Sequence, residues 1–522
     1  MSGFRHGAGR VGEKELQFSF DGRMLAAREG DTIASALMAN GIEVVGRSFK
    51  YHRARGITSC GPEETGALVT IGSGACSEPN ARATMHQVTS GMEVSSQNCW
   101  PSPKLDLLSI NNVVGSLLPG SPFSAGFYYK TFMWPAKLWY SFYEPSIRRA
   151  AGMGKVPTEA DPDVYDRVNS FTDVAIIGGG SAGLAAALSA ANSGLRVLLM
   201  DEHDEFGGQL LNEPRNLKDG QLEQWRLDTI AALHAADNVT LLCKTVCWGR
   251  FDGNTLAAHE VVDGKVRHNY HKIQAKKIII ATGAIERPLV FANNDKPGVM
   301  LASGARKMLN HYGVAAGNKL VVFTNNDSAY QVAFDYHDQG VQVSALVDSR
   351  QKPPAALLKG CMERGIPVHV QCVVTKAKGW HGVRKVAIAD LAANGQGVGQ
   401  TRIIECDALL HSGGWTPQVQ MAAHGGTPPV YDNQIAAFVV DKQAEDTWSV
   451  AAAEGEFGLH EGIDQAVMAA KAACQELDSD ANDIVKPSHD LIGDLHIEPL
   501  WRVPSKGKQL VDIQHDVTAA DV

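Results

Sequence analysis

One run constrains this chain more than any other: Asp173-Val174-Ala175-Ile176-Ile177-Gly178-Gly179-Gly180-Ser181-Ala182-Gly183-Leu184. An apolar strand passes straight into Gly-x-Gly-x-x-Gly and then into an alanine-rich helical segment that Gly194 ends. A second strand, Arg196-Val197-Leu198-Leu199-Met200, closes on Asp201 and Glu202. In such a unit Gly178 permits the tight turn, Gly180 lets the backbone approach a pyrophosphate, and Gly183 lets helix and strand pack closely. The helix N-terminus stabilises the phosphates, and the acid after the second strand accepts from a ribose hydroxyl. Strand, fingerprint, helix, strand and acid together predict a dinucleotide site on a Rossmann unit. Glycine geometry alone does not separate NAD from FAD.

Later segments extend this reading. Phe206-Gly207-Gly208-Gln209 is a loop whose two glycines let backbone reach the same ligand. Lys277-Ile278-Ile279-Ile280-Ala281-Thr282-Gly283-Ala284 is an apolar strand ending in Ala-Thr-Gly. It resembles the turn by which two-dinucleotide-domain flavoproteins cross between their domains. A second nucleotide-like unit runs from Lys319-Leu320-Val321-Val322-Phe323 through Thr324-Asn325-Asn326-Asp327-Ser328 to a strand ending at Val347-Asp348. Its phosphate-loop glycines are gone and Asp327 would repel a pyrophosphate, which predicts a retained fold with a lost nucleotide site. Leu410 to Pro417, then Trp448 to Gly455 with Ala451, read as the return into the first domain, their small residues lying against the dinucleotide.

A length of 522 residues suits about three domains at roughly 150 residues each. A net charge of -9 predicts no bulk attraction to nucleic acid or to an anionic membrane. Nine scattered cysteines with no Cys-x-x-Cys pair suit reduced thiols in the cytoplasm. The N-terminus lacks a signal-peptide core, and no apolar run reaches the ~18 residues of a membrane span. Alternation in Leu16 to Phe20, a turn at Asp21-Gly22 and a helix capped by Asp31 or Thr32 and ended by Gly41 predict an N-terminal β-grasp domain. The basic stretch Arg47 to Ile57 reads as a solvated face or a subunit contact. Ten aromatic residues crowd Phe123 to Tyr143, and so many rings either pack internally or face a partner. The expected order is a β-grasp domain at 1–110, an aromatic-rich helical segment and linker at 111–170, and the first part of the dinucleotide domain at 171–290. The second, degenerate domain follows at 291–400, the return at 401–478, and at 479–522 a segment leading to a missing domain. The predicted class is α/β, a two-dinucleotide-binding-domain flavoprotein-like fold behind a ferredoxin-like β-grasp domain.

Several segments resemble one family. They are Ser48-Phe49-Lys50-Tyr51-His52-Arg53, Gly126 to Pro135, Glu144-Pro145 with Ile147 to Gly152, the glycine fingerprint, Asn325 to Tyr330, and Ser412 to Pro417. Over essentially the whole sequence the chain is similar to the alpha subunit of heterotetrameric sarcosine oxidase. The resemblance implies an oxidoreductase acting on CH-NH donors, with beta, gamma and delta subunits as partners and FAD and FMN on the beta subunit. It implies NAD on this chain, held at Ala182, Asp201, Glu202, His203 and Gln209, with Val246 and Ala451 as further contacts beside Gly178, Gly180, Gly183, Gly208, Ala281 and Gly283. The implied role is support of sarcosine demethylation to glycine, with one-carbon transfer to tetrahydrofolate or formaldehyde release and formation of hydrogen peroxide. No catalytic residue or metal ligand is assigned. Alpha chains of that family continue into a folate-binding half, so this sequence is expected to be a truncated subunit or a shorter relative, without tetrahydrofolate.

The N-terminal domain resembles the 2Fe-2S ferredoxin module of related dehydrogenases. Its loop reads Cys60-Gly61-Pro62-Glu63-Glu64-Thr65-Gly66-Ala67-Leu68, with Thr65 and Leu68 at the next two ligand positions. No iron-sulfur cluster is therefore expected, and Cys76 and Cys99 are expected to be buried thiols. Two other readings share parts of this architecture: the large subunit of an opine oxidase or related amino acid dehydrogenase, and an NADH-linked electron-transfer module, which the missing cysteines oppose.

Overall fold

The computed structural model describes residues 4–7, 9–109, 135–145, 154–262, 266–491 and 495–522. It forms two compact units, one of Pro162–Arg287 with Gly414–Ile497, the other of Met1–Asp161, Pro288–Gly413 and Glu498–Val522.

In the first unit a seven-stranded sheet runs Val239–Leu242, Val197–Met200, Val164–Ile177, Val266–Ile280, Thr255–Val261 and Thr245–Phe251, with Thr447–Ser449 also paired to Val266–Ile280. The fingerprint strand is parallel to both of its neighbours, while the last two strands add an antiparallel meander. Its apolar run is continuous because both faces are covered. Val174, Ile176, Leu199 and Ile279 pack against the helices Ser181–Ala191 and Leu459–Gln475. Their neighbours Ala175, Ile177, Leu198, Met200, Ile278 and Ile280 fill the opposite face with Leu256, Ala258 and Ile273. The alanines of Ser181–Ala191 let it lie close against both the sheet and Leu459–Gln475.

The second unit holds three principal sheets. Near the N-terminus a mixed five-stranded sheet, ordered Arg23–Arg28, Glu15–Phe20, Glu93–Ser96, Leu68–Ile71 and Glu78–Arg82, packs with the helix Ile33–Ala39. Thr32 caps that helix, its hydroxyl accepting the Ser35 amide at 3.2 Å. A parallel five-stranded sheet follows, ordered Val299–Leu301, Ala408–Ser412, Lys319–Thr324, Gln342–Asp348 and Val368–His369. A three-stranded antiparallel sheet, Cys372–Lys378, Lys385–Asp390 and Arg402–Glu405, completes the unit.

The stretch expected as a solvated face or subunit contact is instead buried. Ser48, Tyr51, His52 and Arg55 are all covered. Arg53 donates to Asp295 at 2.6 and 2.7 Å, and Arg55 pairs with both Asp295 and Asp516. Asp516 also accepts the Lys50 and Tyr51 amides at 2.8 Å each, so the C-terminal strands Leu510–Asp512 and Val517–Thr518 are tied into this unit. Of the aromatic run, Phe123 to Trp134 lie outside the described residues. Within the helical turn Trp139–Tyr143 the Tyr140 and Phe142 rings are exposed. All nine cysteines are free thiols, but Cys76 is exposed and Cys99 half-buried, against the expectation for both. Cys76 sits at the end of the turn Gly74–Cys76, which joins the interior strand Leu68–Ile71 to the edge strand Glu78–Arg82. Among the described residues no helix is long and apolar enough to cross a membrane.

Candidate dinucleotide site

The sheet of the first unit sets a row of chain reversals at the carboxyl ends of its parallel strands, the place where open α/β sheets bind ligands. Backbone hydrogen bonds hold this edge together. Asp201 N donates to Leu242 O at 2.9 Å, Gly178 N to Met200 O at 2.8 Å, Ala281 N to Ile177 O at 2.8 Å and Val450 N to Ile280 O at 3.0 Å. Gly178, Asp201, Ala281 and Ala451 therefore come from four strands to one rim.

At Gly178 φ is +102°, in the region that favours glycine, and the turn delivers the chain into the helix Ser181–Ala191. No side chain caps that helix, so its first amides face the rim. Gly183 and Gly180 have opposite surroundings. A Cβ on Gly183 would overlap the Gly178 carbonyl oxygen, whereas one on Gly180 would meet nothing nearer than the Gly208 Cα at 3.9 Å. Gly183 thus closes the turn against the helix, and Gly180 presents bare backbone beside the helix N-terminus. That is a cradle suited to a pyrophosphate. Ala182 is buried in the first turn of the same helix.

The acid lies within this constellation. Asp201 accepts the Gly179 amide at 2.5 Å, the His203 amide at 2.8 Å and His203 Nδ1 at 2.9 Å. Burial pushes its carboxyl up, but the His203 hydrogen bond and charge, with the His203 and Gly179 amides, outweigh burial and hold it below the usual carboxylate range. Glu202 is half-buried next to it. Thr245 N donates to Asp201 O at 2.8 Å and Lys244 N to His203 O at 2.7 Å, which sets Val246 beside the acid loop with its side chain partly exposed.

The double-glycine loop folds onto the fingerprint. Gly207 N donates to Gly179 O at 2.9 Å, and a Cβ on Gly208 would fall 2.8 Å from Gly180 Cα. Gln209 is exposed on the short turn Gly208–Asn212. Gly283, with φ +70°, accepts the Gln418 amide at 2.9 Å next to the paired strands Ala284–Glu286 and Trp415–Pro417. Reading by motif missed Gly179, whose amide holds the acid, and Phe206, whose ring a Cβ on Gly179 would strike. It missed Arg226 as well, where the spacing of three from Glu223 on one helix was the available signal.

In the second unit the corresponding turn is filled by its own side chains. Arg350, fully buried, donates to Asp348 at 2.8 Å and to Asp327 at 2.5 Å, and Tyr330 donates its hydroxyl to Asp348 at 2.8 Å. The Asp327 charge is thus answered from within the fold.

Three comparisons with known proteins bear on the chain. Residues 172–473 match the pyridine nucleotide-disulphide oxidoreductase family, and residues 13–99 match the 2Fe-2S iron-sulfur cluster binding domain. The second match contradicts the expectation that no iron-sulfur cluster is present: residues 13–99 have the sequence pattern of a 2Fe-2S cluster binding domain. In its loop Glu64 is buried and accepts the amides of Thr58, Ser59, Gly66 and Ala67, while burial pushes the Cys60 thiol up to about 12. Among the described residues no three His, Cys, Asp or Glu side chains gather to hold a metal ion.

The chain is 42% identical to sarcosine oxidase subunit alpha of Rhizobium meliloti over 97% of its own length and 51% of the relative's. It is 34% identical to the same subunit of Corynebacterium sp. over 99% of its length and 50% of the relative's. It spans about half the length of these curated relatives. The structure of L-proline dehydrogenase from P. horikoshii is similar in fold, with a TM-score of 0.60 at 20% identity, over 92% of this chain and 77% of that one. The resemblance to sarcosine oxidase alpha subunits is therefore borne out along the whole sequence, and by the match of residues 172–473 the chain belongs to the pyridine nucleotide-disulphide oxidoreductase family.

Proposed function

We propose that this chain is the NAD-binding alpha subunit of a multi-subunit amine oxidase of the sarcosine oxidase type. The observation that carries the reading is the bare Gly180 backbone at an uncapped helix N-terminus, with Asp201 anchored beside it. Gly178, Gly180, Ala182 and Gly208 would flank the pyrophosphate. Asp201, Glu202 and His203 would take the ribose end, and the Ala281 and Ala451 turns would line the opposite side. Val246 and Gln209 are assigned as outer contacts. A bound nicotinamide dinucleotide supplies a hydride acceptor or donor. The residues of this chain bind and orient it. Similarity to sarcosine oxidase subunit alpha supports sarcosine as the amine. The proposed partners are beta, gamma and delta subunits, with FAD and FMN on the beta subunit. The one-carbon unit goes to tetrahydrofolate only where a folate-binding half is present, and is otherwise released as formaldehyde.

Coexpression with those subunits, purification through a tag on this chain, and assay of sarcosine-dependent hydrogen peroxide test the proposal. The expected result is a complex that turns over sarcosine. A complex inert to sarcosine but active on opines would place the chain with opine oxidases instead.

A further inference from the structure

We infer that Arg226 is a positioning residue for the dinucleotide site, holding the double-glycine loop against the fingerprint from beneath. The inference rests on the dinucleotide reading above. Arg226 lies on the helix Gln221–His234, and its guanidinium is almost fully buried. It is fixed by a two-point pair with Glu223 on the same helix, Nε donating at 3.1 Å and Nη2 at 2.8 Å. A planar fork held at two points has little freedom left, so the direction of its remaining donor is set. That donor, Nη1, reaches the carbonyl oxygen of Phe206 at 2.7 Å.

The next residue, Gly207, adopts φ +141°, and a Cβ there would lie 2.6 Å from the Arg226 Cδ. The loop is therefore drawn down onto the arginine stem as well as bonded to its head. From the same peptide group the Gly207 amide donates to Gly179 O at 2.9 Å, and Gly179 N in turn donates to Asp201 at 2.5 Å. Glu223, Arg226, Phe206, Gly207, Gly179 and Asp201 form a series of hydrogen bonds, joined through the Phe206–Gly207 peptide group and the backbone of Gly179, from a buried ion pair to the ribose-binding acid. Arg226 itself makes no part of the cradle surface. It acts through the Phe206 carbonyl, and without it the loop loses both its anchor and the stem under Gly207.

The test uses the full chain with Arg226→Ala, Arg226→Lys and Glu223→Gln. It reads NAD affinity by calorimetry and amide hydrogen exchange over residues 206–209 without added nucleotide. Arg226→Ala should weaken NAD binding at least tenfold and speed exchange of the Gly207 amide. Arg226→Lys, which still offers one donor to Phe206 O, should recover part of both. Glu223→Gln should fall between wild type and Arg226→Ala, and it carries the test if Arg226→Ala does not fold. Wild-type affinity and wild-type exchange in a folded Arg226→Ala or Glu223→Gln chain would overturn the inference. If the wild-type chain binds no dinucleotide, the underlying reading is what fails, and unchanged Gly207 exchange in the variants would then overturn the loop anchor separately.

Discussion

The Asp201 carboxylate accepts the Gly179 amide at 2.5 Å, so the acid after the second strand and the middle of the glycine loop hold each other in place. A carboxylate has about four acceptor positions, and Gly179 with the two His203 donors fills three. One remains for a ribose hydroxyl. Asp201→Ala should therefore remove a ligand contact and release the loop together, lowering NAD affinity by more than removal of one hydrogen bond would, on the order of a hundredfold for ~3 kcal/mol. Titration calorimetry on the folded variant checks this.

Gly180 and Gly183 belong to one fingerprint yet should respond in opposite ways. Gly180→Ala places its Cβ in ordinary contact, so the variant should fold with wild-type melting while its NAD affinity drops. Gly183→Ala drives its Cβ into the Gly178 carbonyl and should cost stability on the scale of an overpacked core, at ~1–3 kcal/mol. Thermal melts beside binding isotherms separate the two. Equal loss of stability in both would contradict the geometry.

Arg350 fills the second unit's turn with a charge of its own. Arg350→Met leaves Asp348 buried without its cation, and breaking a buried pair costs about 3–5 kcal/mol. Urea unfolding should show that loss, with no second nucleotide bound per chain. A gain of nucleotide stoichiometry would mean that the turn still forms a phosphate site.

His411 is buried in the second unit, where its Nδ1 accepts the Leu289 amide at 3.1 Å and desolvation pulls its pKa down to about 3. In the unfolded chain a histidine takes its proton near pH 6.5, so the unfolded state binds more protons between about 6.5 and 3. Stability should fall as pH drops through that window, by on the order of 5 kcal/mol in full. His411→Gln should flatten this part of the profile in urea titrations at pH 4 to 7.

The dinucleotide unit was legible because its signals are local. Strand, glycine turn and helix lie within Asp173 to Leu184, and both faces of the strand are buried, which makes its apolar run continuous. What stayed hidden depends on partners distant in the chain. Arg53 and Arg55 looked like a solvated basic stretch because Asp295 lies 240 or more residues away, and Asp516 further still. The role of Glu64 has no local sign in the sequence, because only the folded loop brings four amides onto its carboxylate. The Gly179 contact to Asp201 was missed for a related reason. The fingerprint assigns glycines by their turns, and it does not say where a neighbouring amide points.

The central claim is that the Gly178 to Gly183 turn holds NAD. Acid extraction of the purified full chain, with chromatography of the released nucleotide against the protein concentration, tests it most directly. The account predicts one NAD per chain, lost in Gly180→Val. Stoichiometric FAD in the extract, or an NAD content that Gly180→Val leaves unchanged, would contradict it.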